Sequence, residues 1–247
     1  MTVIPPVRVG RWPTGTFMDM LAPPAQEALL RLGRPKKFRR GDVLMHELDE
    51  SDEVVLLCRT LVKATISLDN GRVALLNIKV GGDVVGEMAA LSGDPRSATI
   101  TVCADGHGRV FTAAQFRDYL REHPDANLAL SRMIMQTLRW ADKRRVDFNG
   151  YPALVRLARV LVELCNHYGR SGQDGVTLDL GLTQRELGAL VGAEEDTARK
   201  ELRVLRDRGV ISMGYRTITV LDRVLLDGIA RDSGKPGDTP AHPRESA

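Results

Sequence analysis

Cysteine is scarce in this sequence, and its three thiols are too widely spaced to suggest a metal site. Cys58, Cys103 and Cys165 form no C-x-x-C motif and no Cys/His pair at zinc spacing. No cysteine precedes Cys58, which excludes an iron–sulfur cluster held by an N-terminal segment. Because the cysteines lie in apolar runs that look like strands or a helix, we expect them to be core thiols.

Long apolar runs are also absent. No stretch approaches the roughly 20 residues that span a bilayer, and residues Met1–Gly10 lack the basic-then-apolar order of a secretory signal. Hydrophobic residues make up 43% of the 247 residues and charged residues 27%, as in folded soluble proteins. We therefore expect a cytoplasmic protein of one or two domains without a membrane partner.

Catalytic signatures are missing as well. The sequence shows no nucleophile–base pair, no metal-ligand cluster and no nucleotide-hydrolysing motif, so we expect neither an enzyme nor an obligatory cofactor. The net charge of +3 is compatible with nucleic-acid binding but does not demonstrate it, because basic residues must cluster to bind phosphates.

Short strand-like runs dominate from Phe38 to Phe111. The runs Val62–Leu68 and Arg72–Ile78 flank Asp69-Asn70-Gly71, whose Asn-Gly pair is typical of a tight hairpin turn. Further turns that contain glycine, among them Asp105-Gly106, predict a small β-roll.

A long helix is predicted next, from Asp125 to Phe148, where the sequence contains neither glycine nor proline. Its main apolar stripe has helical spacing, and it consists of Leu128, Leu130, Ile134, Leu138 and Ala141. Met133 and Met135 lie off this stripe, so we expect two apolar faces, one packed on the β-roll and one on a partner helix. Asn149-Gly150-Tyr151-Pro152 then ends the helix.

The segment from Leu182 to Ile211 has the pattern of a DNA-binding helix-turn-helix. Thr183 and Glu186 form a capping box at the start of the first helix. Gly188 is small where two helices meet, and Gly192 suits the tight turn between them. A second helix is predicted from Glu194 to Arg208, and two short strands around Met213-Gly214-Tyr215-Arg216 predict a β-wing beside it.

The predicted recognition helix carries balanced rather than purely basic charge. Its first-turn acids, Glu195 and Asp196, suit the positive helix end; alternatively, one of these carboxylates accepts a hydrogen bond from a cytosine in the major groove. Arg199, Lys200 and Arg203 are the stronger candidates for phosphate or guanine contacts.

A second motif, Gly86–Ala98, interrupts the strands of the β-roll. A Gly-Glu turn leads into a short helical turn, and Arg96-Ser97 opens the next strand. The backbone amides and the Arg96 guanidinium of such a turn can hold a phosphate, and Glu87 can accept from sugar hydroxyls. The alternative is a buried salt bridge between Arg96 and Glu87 without a ligand.

Together, the G-E-x-A-x-L-x-G-x-P-R-S-A run and the winged helix-turn-helix make the chain resemble the Crp–Fnr superfamily of bacterial regulators, from about Phe38 to Asp222. The resemblance implies that Gly86 approaches the ligand, Glu87 holds the ribose hydroxyl, and Arg96 and Ser97 hold a cyclic phosphate. It also implies a homodimer that binds a pseudo-palindromic operator in double-stranded DNA, with RNA polymerase as a candidate partner.

The chain departs from the family pattern at three places. Ala141 and Asp142 stand where cyclic-AMP binders carry a base-reading hydroxyl, so the effector remains open between cAMP, cGMP and none. Glu195 stands where many relatives have an arginine, so their operator sequence is not carried over. Thr60 replaces a usual turn glycine.

The sequence thus predicts an α+β protein with an N-terminal β-roll, a long dimerisation helix and a C-terminal winged helix-turn-helix. The expected divisions are a flexible N-terminus (1–16), a sensor domain (17–123), the dimerisation helix (124–148), a DNA-binding domain (149–229) and a disordered tail (230–247). The expected ligand-binding residues are Gly86, Glu87, Met88, Arg96, Ser97, Ala141 and Asp142. The expected DNA-binding residues are Thr183, Gln184, Glu195, Asp196, Thr197, Arg199, Lys200, Arg203 and Arg216.

Two alternatives to a regulator controlled by a cyclic nucleotide remain from the sequence. One is the same DNA-binding dimer with a vestigial or non-nucleotide effector site. The other is a cyclic-nucleotide module that acts through protein partners, against which the intact helix-turn-helix and wing argue.

Overall fold

The computed structural model describes residues 12–232, and its N-terminal half is a β-roll with helices at both ends. A short 3-10 helix, Met18–Met20, opens it. Its further elements are α1 (Pro23–Arg31), β1 (Arg34–Phe38), β2 (Val43–Met45), β3 (Val54–Ser67), β4 (Val73–Val80), β5 (Val84–Val85), α2 (Glu87–Ser92), β6 (Thr99–Phe111) and α3 (Ala113–Glu122). The strands form one six-stranded sheet in which β4 is an edge strand.

The C-terminal half contains the long helix and a second, smaller sheet. Its elements are α4 (Pro124–Gly150), α5 (Ala153–Tyr168), β7 (Arg170–Gly172), β8 (Gly175–Leu178), α6 (Gln184–Leu190), α7 (Glu195–Asp207), β9 (Ile211–Gly214), β10 (Thr217–Val220) and α8 (Arg223–Arg231). The predicted β-roll, long helix and winged helix-turn-helix are confirmed. Between residues 12 and 232, no helix combines the length and the apolar character needed to cross a membrane.

The predicted hairpin is the β3–β4 pair, which is antiparallel with Ser67 opposite Val73. Gly71 has φ of +75° in the connecting turn, a conformation that glycine adopts without steric cost. The prediction of a turn at Asp105-Gly106 is wrong, because β6 runs through both residues.

Gly106 is required by a close approach of two strands rather than by a turn. A Cβ at this position would lie 1.7 Å from the Arg59 carbonyl oxygen and 2.8 Å from Cβ of Thr60. The pairing of β3 with β6 is irregular here, and the Thr60 hydroxyl donates to the Ala104 carbonyl at 2.7 Å. Gly106 on the facing strand therefore leaves the space that the Arg59 carbonyl and the Thr60 side chain occupy.

Residues near both ends of the described chain are packed against the rest of the protein. Within the segment expected to be flexible, Trp12 and Thr16 are buried, while residues 1–11 lie outside the described residues. Ala230, in the expected disordered tail, is buried as part of α8, and residues 233–247 lie outside the described residues.

The long helix α4 does have two apolar faces, but their membership differs from the expected stripe. The face packed on the β-roll contains Ala126, Ala129, Leu130 and Met133. The opposite apolar face is exposed and contains Leu128, Ile134, Met135 and Leu138. The helix also continues through Asn149 and Gly150, and Pro152 stands at the start of α5 instead.

We expect Gly106→Ala to lower the free energy of unfolding by about 1–3 kcal/mol, because the added methyl group overlaps a backbone carbonyl that cannot move independently of β3. Urea unfolding followed by circular dichroism measures this change. Gly150→Ala is the matched control, since a Cβ there meets nothing within 4 Å at the end of a helix. Equal stability of the two variants would contradict the close approach.

Candidate DNA-binding surface and effector site

The first helix of the helix-turn-helix begins with the predicted capping box. The Glu186 backbone N–H donates to the Thr183 hydroxyl at 3.2 Å, and the Thr183 N–H donates to the Glu186 carboxylate at 2.8 Å. These two bonds satisfy backbone donors that a helix start otherwise leaves unpaired. The start of α6 is therefore fixed by local sequence.

The turn between α6 and α7 depends on two glycines. Gly192 has φ of +64°, and a Cβ on Gly188 would lie 3.1 Å from the Ala198 Cβ. The two helices meet at these positions because neither glycine carries a side chain. On the far side, β9 and β10 pair as the predicted wing, with Arg216 exposed at its tip.

The recognition helix α7 buries one face and exposes the other. Ala198, Leu202 and Leu205 are buried in the domain core. Among the predicted DNA-binding residues, Asp196, Arg199, Lys200 and Arg203 are exposed; Thr183, Gln184, Glu195 and Thr197 are half-buried.

Four of the predicted DNA-binding residues form one hydrogen-bonded cluster. Arg199 contacts Asp196 at 2.8 Å and Glu195 at 2.9 Å, and its Nε donates to the Gln184 side chain at 3.3 Å. Arg185, which is not among the predicted DNA-binding residues, contacts Glu195 at 3.1 Å. Since Glu195 has two arginine partners, its charge is compensated within the protein.

Lys200 and Arg203 differ from Arg199 because neither forms an ion pair with any residue in the described part of the chain. Both side chains lie on the exposed face of α7. They are therefore the cations of this helix that remain available to an external anion.

The helix-turn-helix is docked on the sheet of the N-terminal half. Lys63 of β3 donates to the Glu186 carboxylate, and both side chains are largely shielded from solvent. Burial acts to raise the pKa of Glu186, but the hydrogen bonds from Lys63 and Thr183 hold this pKa below its usual value. A second ion pair joins Arg72 in the β3–β4 turn to Glu194 at 2.6 Å.

The predicted phosphate-binding arginine is buried and hydrogen-bonded within the protein. Arg96 is 3% exposed and donates to the carbonyls of Gly86 at 2.9 Å and Glu53 at 2.7 Å, and to the Ser51 hydroxyl at 3.2 Å. Gly86 has φ of +85° at the start of α2, and a Cβ there would lie 2.7 Å from the guanidinium. The Gly-Glu turn and the arginine are thus held together.

The structure shows no direct salt bridge between Arg96 and Glu87, the alternative that the sequence left open. Arg96 uses backbone carbonyls and a hydroxyl, while Glu87 is buried separately and burial raises the pKa of its carboxyl. Burial lowers the pKa of Arg96, an effect that the nearby carboxylates of Asp52 and Glu53 oppose. Arg96 therefore lies close to several carboxyl groups.

The remaining predicted ligand-binding residues lie at the surface. Met88 and Ser97 are exposed, with the Ser97 hydroxyl 4.0 Å from the Met88 sulfur. Ala141 and Asp142 are exposed on α4.

Comparisons with known proteins match both halves of the chain. A cyclic nucleotide-binding domain model matches residues 35–123, and a Crp-like helix-turn-helix domain model matches residues 155–229. A CRP-like cAMP-activated global transcriptional regulator from Mycobacterium tuberculosis is 26% identical over 211 residues, which cover 85% of this chain and 93% of that protein. The cAMP-activated global transcriptional regulator CRP from Salmonella typhimurium is 23% identical over 186 residues, 74% of this chain and 88% of that protein.

Solved structures show the same fold. FixK2 from Bradyrhizobium japonicum superposes with a TM-score of 0.71 at 19% identity, covering 82% of this chain and all (100%) of that chain. The c-di-GMP responsive global regulator CLP from Xanthomonas campestris gives a TM-score of 0.68 at 17% identity, covering 81% and 100%.

We expect Glu186→Gln to destabilise the protein by about 1 kcal/mol at neutral pH, since glutamine can keep the cap but loses the charge that pairs with Lys63. Because the pKa of Glu186 is lowered by folding, this contribution is present above the unfolded-state pKa of about 4.3 and is lost as the pH falls through the folded-state value. Thermal unfolding of both proteins at pH 7 and pH 3 tests it. A difference that did not shrink at pH 3 would contradict the role of the charge.

Proposed function

The chain belongs to the Crp–Fnr family of transcription regulators, and from this premise we propose that it is a dimeric, sequence-specific DNA-binding regulator. The observation that carries the proposal is the exposed face of α7, where Lys200 and Arg203 lie without ion-pair partners among residues 12–232. A recognition helix beside a wing places such side chains in the major groove and against phosphates.

Dimerisation is supported by the exposed apolar face of α4. Leu128, Met135 and Leu138 are 52%, 46% and 59% exposed. They repeat at the seven- and three-residue spacing of a coiled-coil seam, so a second α4 can cover them. Two copies related by a two-fold axis would present two recognition helices to successive major grooves.

Selection from a pool of random duplexes tests the DNA-binding proposal. We expect an enriched pseudo-palindrome with half-sites about one helical turn apart. Lys200→Ala and Arg203→Ala should each cost about 1–3 kcal/mol of binding free energy on the selected duplex. Arg31→Ala is the control, because that arginine is equally cationic but lies on α1 with an 82% exposed side chain. Retention without sequence enrichment would refute a sequence-specific regulator.

A cyclic nucleotide is the first candidate for the effector. The domain model over residues 35–123 is that of cyclic nucleotide-binding domains, and two of the relatives are named as cAMP-activated. In this chain Gly86, Glu87 and Arg96 supply the turn, the buried carboxyl and the guanidinium that such a ligand needs. To bind phosphate, Arg96 would exchange internal hydrogen bonds for ligand oxygens.

A second candidate is the same regulator with a site that no longer binds a cyclic phosphate. It is favoured by the internal hydrogen bonds of Arg96 and by the acidic residues around it, Asp49, Asp52 and Glu53. These carboxylates already compensate the arginine and would repel a ligand phosphate. Relatives of this fold are not uniform in effector, since CLP is named as responsive to c-di-GMP.

Calorimetry with cAMP and cGMP separates the two candidates. If the first is correct, at least one nucleotide binds and Arg96→Ala abolishes the binding. Arg109→Ala is the matched control, because Arg109 also donates to backbone carbonyls, those of Leu32 and Gly33, but on another side of the β-roll. Absence of binding by the folded wild-type protein would leave the second candidate.

A further inference from the structure

A cleft separate from the helical turn at Gly86–Ala98 lies where the two halves of the chain meet. It has a volume of about 100 Å³. Its walls come from β4 of the β-roll, from the long helix α4 and from α5 of the DNA-binding half, and Thr14–Thr16 closes one side. A ligand in the cleft would therefore contact the β-roll, α4 and the DNA-binding half. The relative position of these parts determines where the recognition helix lies.

Part of the cleft wall is apolar and aromatic, beside polar residues such as Asn77 and Gln136. Ile78 and Val80 line it from the sheet, Met133 and Trp140 from α4, and Leu164 from α5. Ile78 and Leu164 are buried, so this part of the cleft wall is shielded from solvent. Such walls favour a planar or alkyl group over a fully hydrated ion.

Lys79 is the polar group that decides which ligand class fits. Its ammonium, half-buried in the cleft wall, donates to the Thr137 hydroxyl at 3.3 Å. It forms no ion pair with any residue in the described part of the chain. The carboxyls of Asp83 and Glu87 act on it at longer range, and burial raises the pKa of both.

The other charged groups of the cleft have ion-pair or hydrogen-bond partners within the protein. Glu163 pairs with Lys143 and lies 3.7 Å from His167, so it is not a free acid waiting for a cation. The Asp83 carboxylate accepts from the backbone N–H groups of Val80 and Phe17. Among residues 12–232, Lys79 is therefore the cation of the cleft without an ion pair, and the buried Asp83 acts on it only at longer range.

We propose that this cleft binds a small organic anion, a carboxylate on an aromatic or alkyl body, with Lys79 as its counter-ion and Trp140 against its apolar part. Since the walls belong to both halves, such a ligand stabilises the observed docking of the DNA-binding half on the β-roll. Binding itself requires neither DNA nor a cyclic nucleotide, so its failure would leave the proposed function untouched.

Calorimetry on the full chain with acetate, benzoate and naphthalene-2-carboxylate tests the ligand class. We expect affinity to rise with the size of the apolar body, and naphthalene-2-carboxamide, the neutral analogue, to bind about tenfold more weakly or worse than the carboxylate. No binding by any of the three anions, or equal binding of the amide, would overturn the proposal. This comparison uses the wild-type protein and so does not depend on the folding of a variant.

Two variants locate the site. Lys79→Met should weaken naphthalene-2-carboxylate binding about tenfold or more, whereas Lys37→Met, at an exposed lysine of β1, should leave it unchanged. Trp12→Phe leaves Trp140 as the single tryptophan, and its fluorescence should be quenched on titration. Unchanged affinity in the folded Lys79→Met protein, or no quenching of Trp140, would place the ligand elsewhere and refute the assignment.

Discussion

The free edge of the β-roll determines where the DNA-binding half can sit. Edge strand β4 would otherwise expose unpaired carbonyls, a feature that folded proteins avoid or cover. Here Arg144 of α4 donates to the carbonyls of Leu75 and Leu76, at 3.1 and 2.8 Å, and the Tyr168 hydroxyl of α5 donates to Ile78 at 2.9 Å. The same side chains that satisfy the edge thus hold both following helices.

The packing beneath these hydrogen bonds is continuous across the two halves. Leu75 and Ile78 of β4 belong to one buried cluster with Leu157 and Leu161 of α5 and Leu187 of α6. The Lys63–Glu186 pair adds a directional contact above this cluster, at the cap of the helix-turn-helix. A change in β4 therefore acts on α6 through direct packing rather than through a flexible linker.

Local sequence predicted those parts of the fold that short-range chemistry determines. The β3–β4 hairpin follows from Asn70-Gly71, and the start of α6 follows from Thr183 and Glu186. The strands β7 and β8 went unpredicted because their seven residues include glycines and few apolar side chains. The two apolar faces of α4 were predicted, but Leu130 belongs to the face packed on the β-roll and Met135 to the exposed face, a division that apolar periodicity alone does not give.

Long-range pairing also explains why the candidate sites could be only partly predicted. The resemblance described above leads one to expect an arginine where this chain has Glu195, which from sequence suggests the loss of a DNA contact. The structure shows that Arg185 and Arg199 both converge on it, the first from α6 and ten residues away in sequence. Glu195 therefore engages two arginines, and Lys200 and Arg203 are the cations of α7 that form no ion pair among residues 12–232.

The same reasoning applies to Arg96, whose neighbours come from the loop Asp49–Glu53 rather than from its own motif. A phosphate would compete with the carbonyls of Gly86 and Glu53 for the guanidinium and would approach several carboxylates. Desolvating an anion in such a surrounding costs free energy that the single arginine must offset. An anionic ligand at the proposed site would meet the charge of this acidic loop as well as the residues of the motif, and neutralising the loop would favour such a ligand even with the motif unchanged.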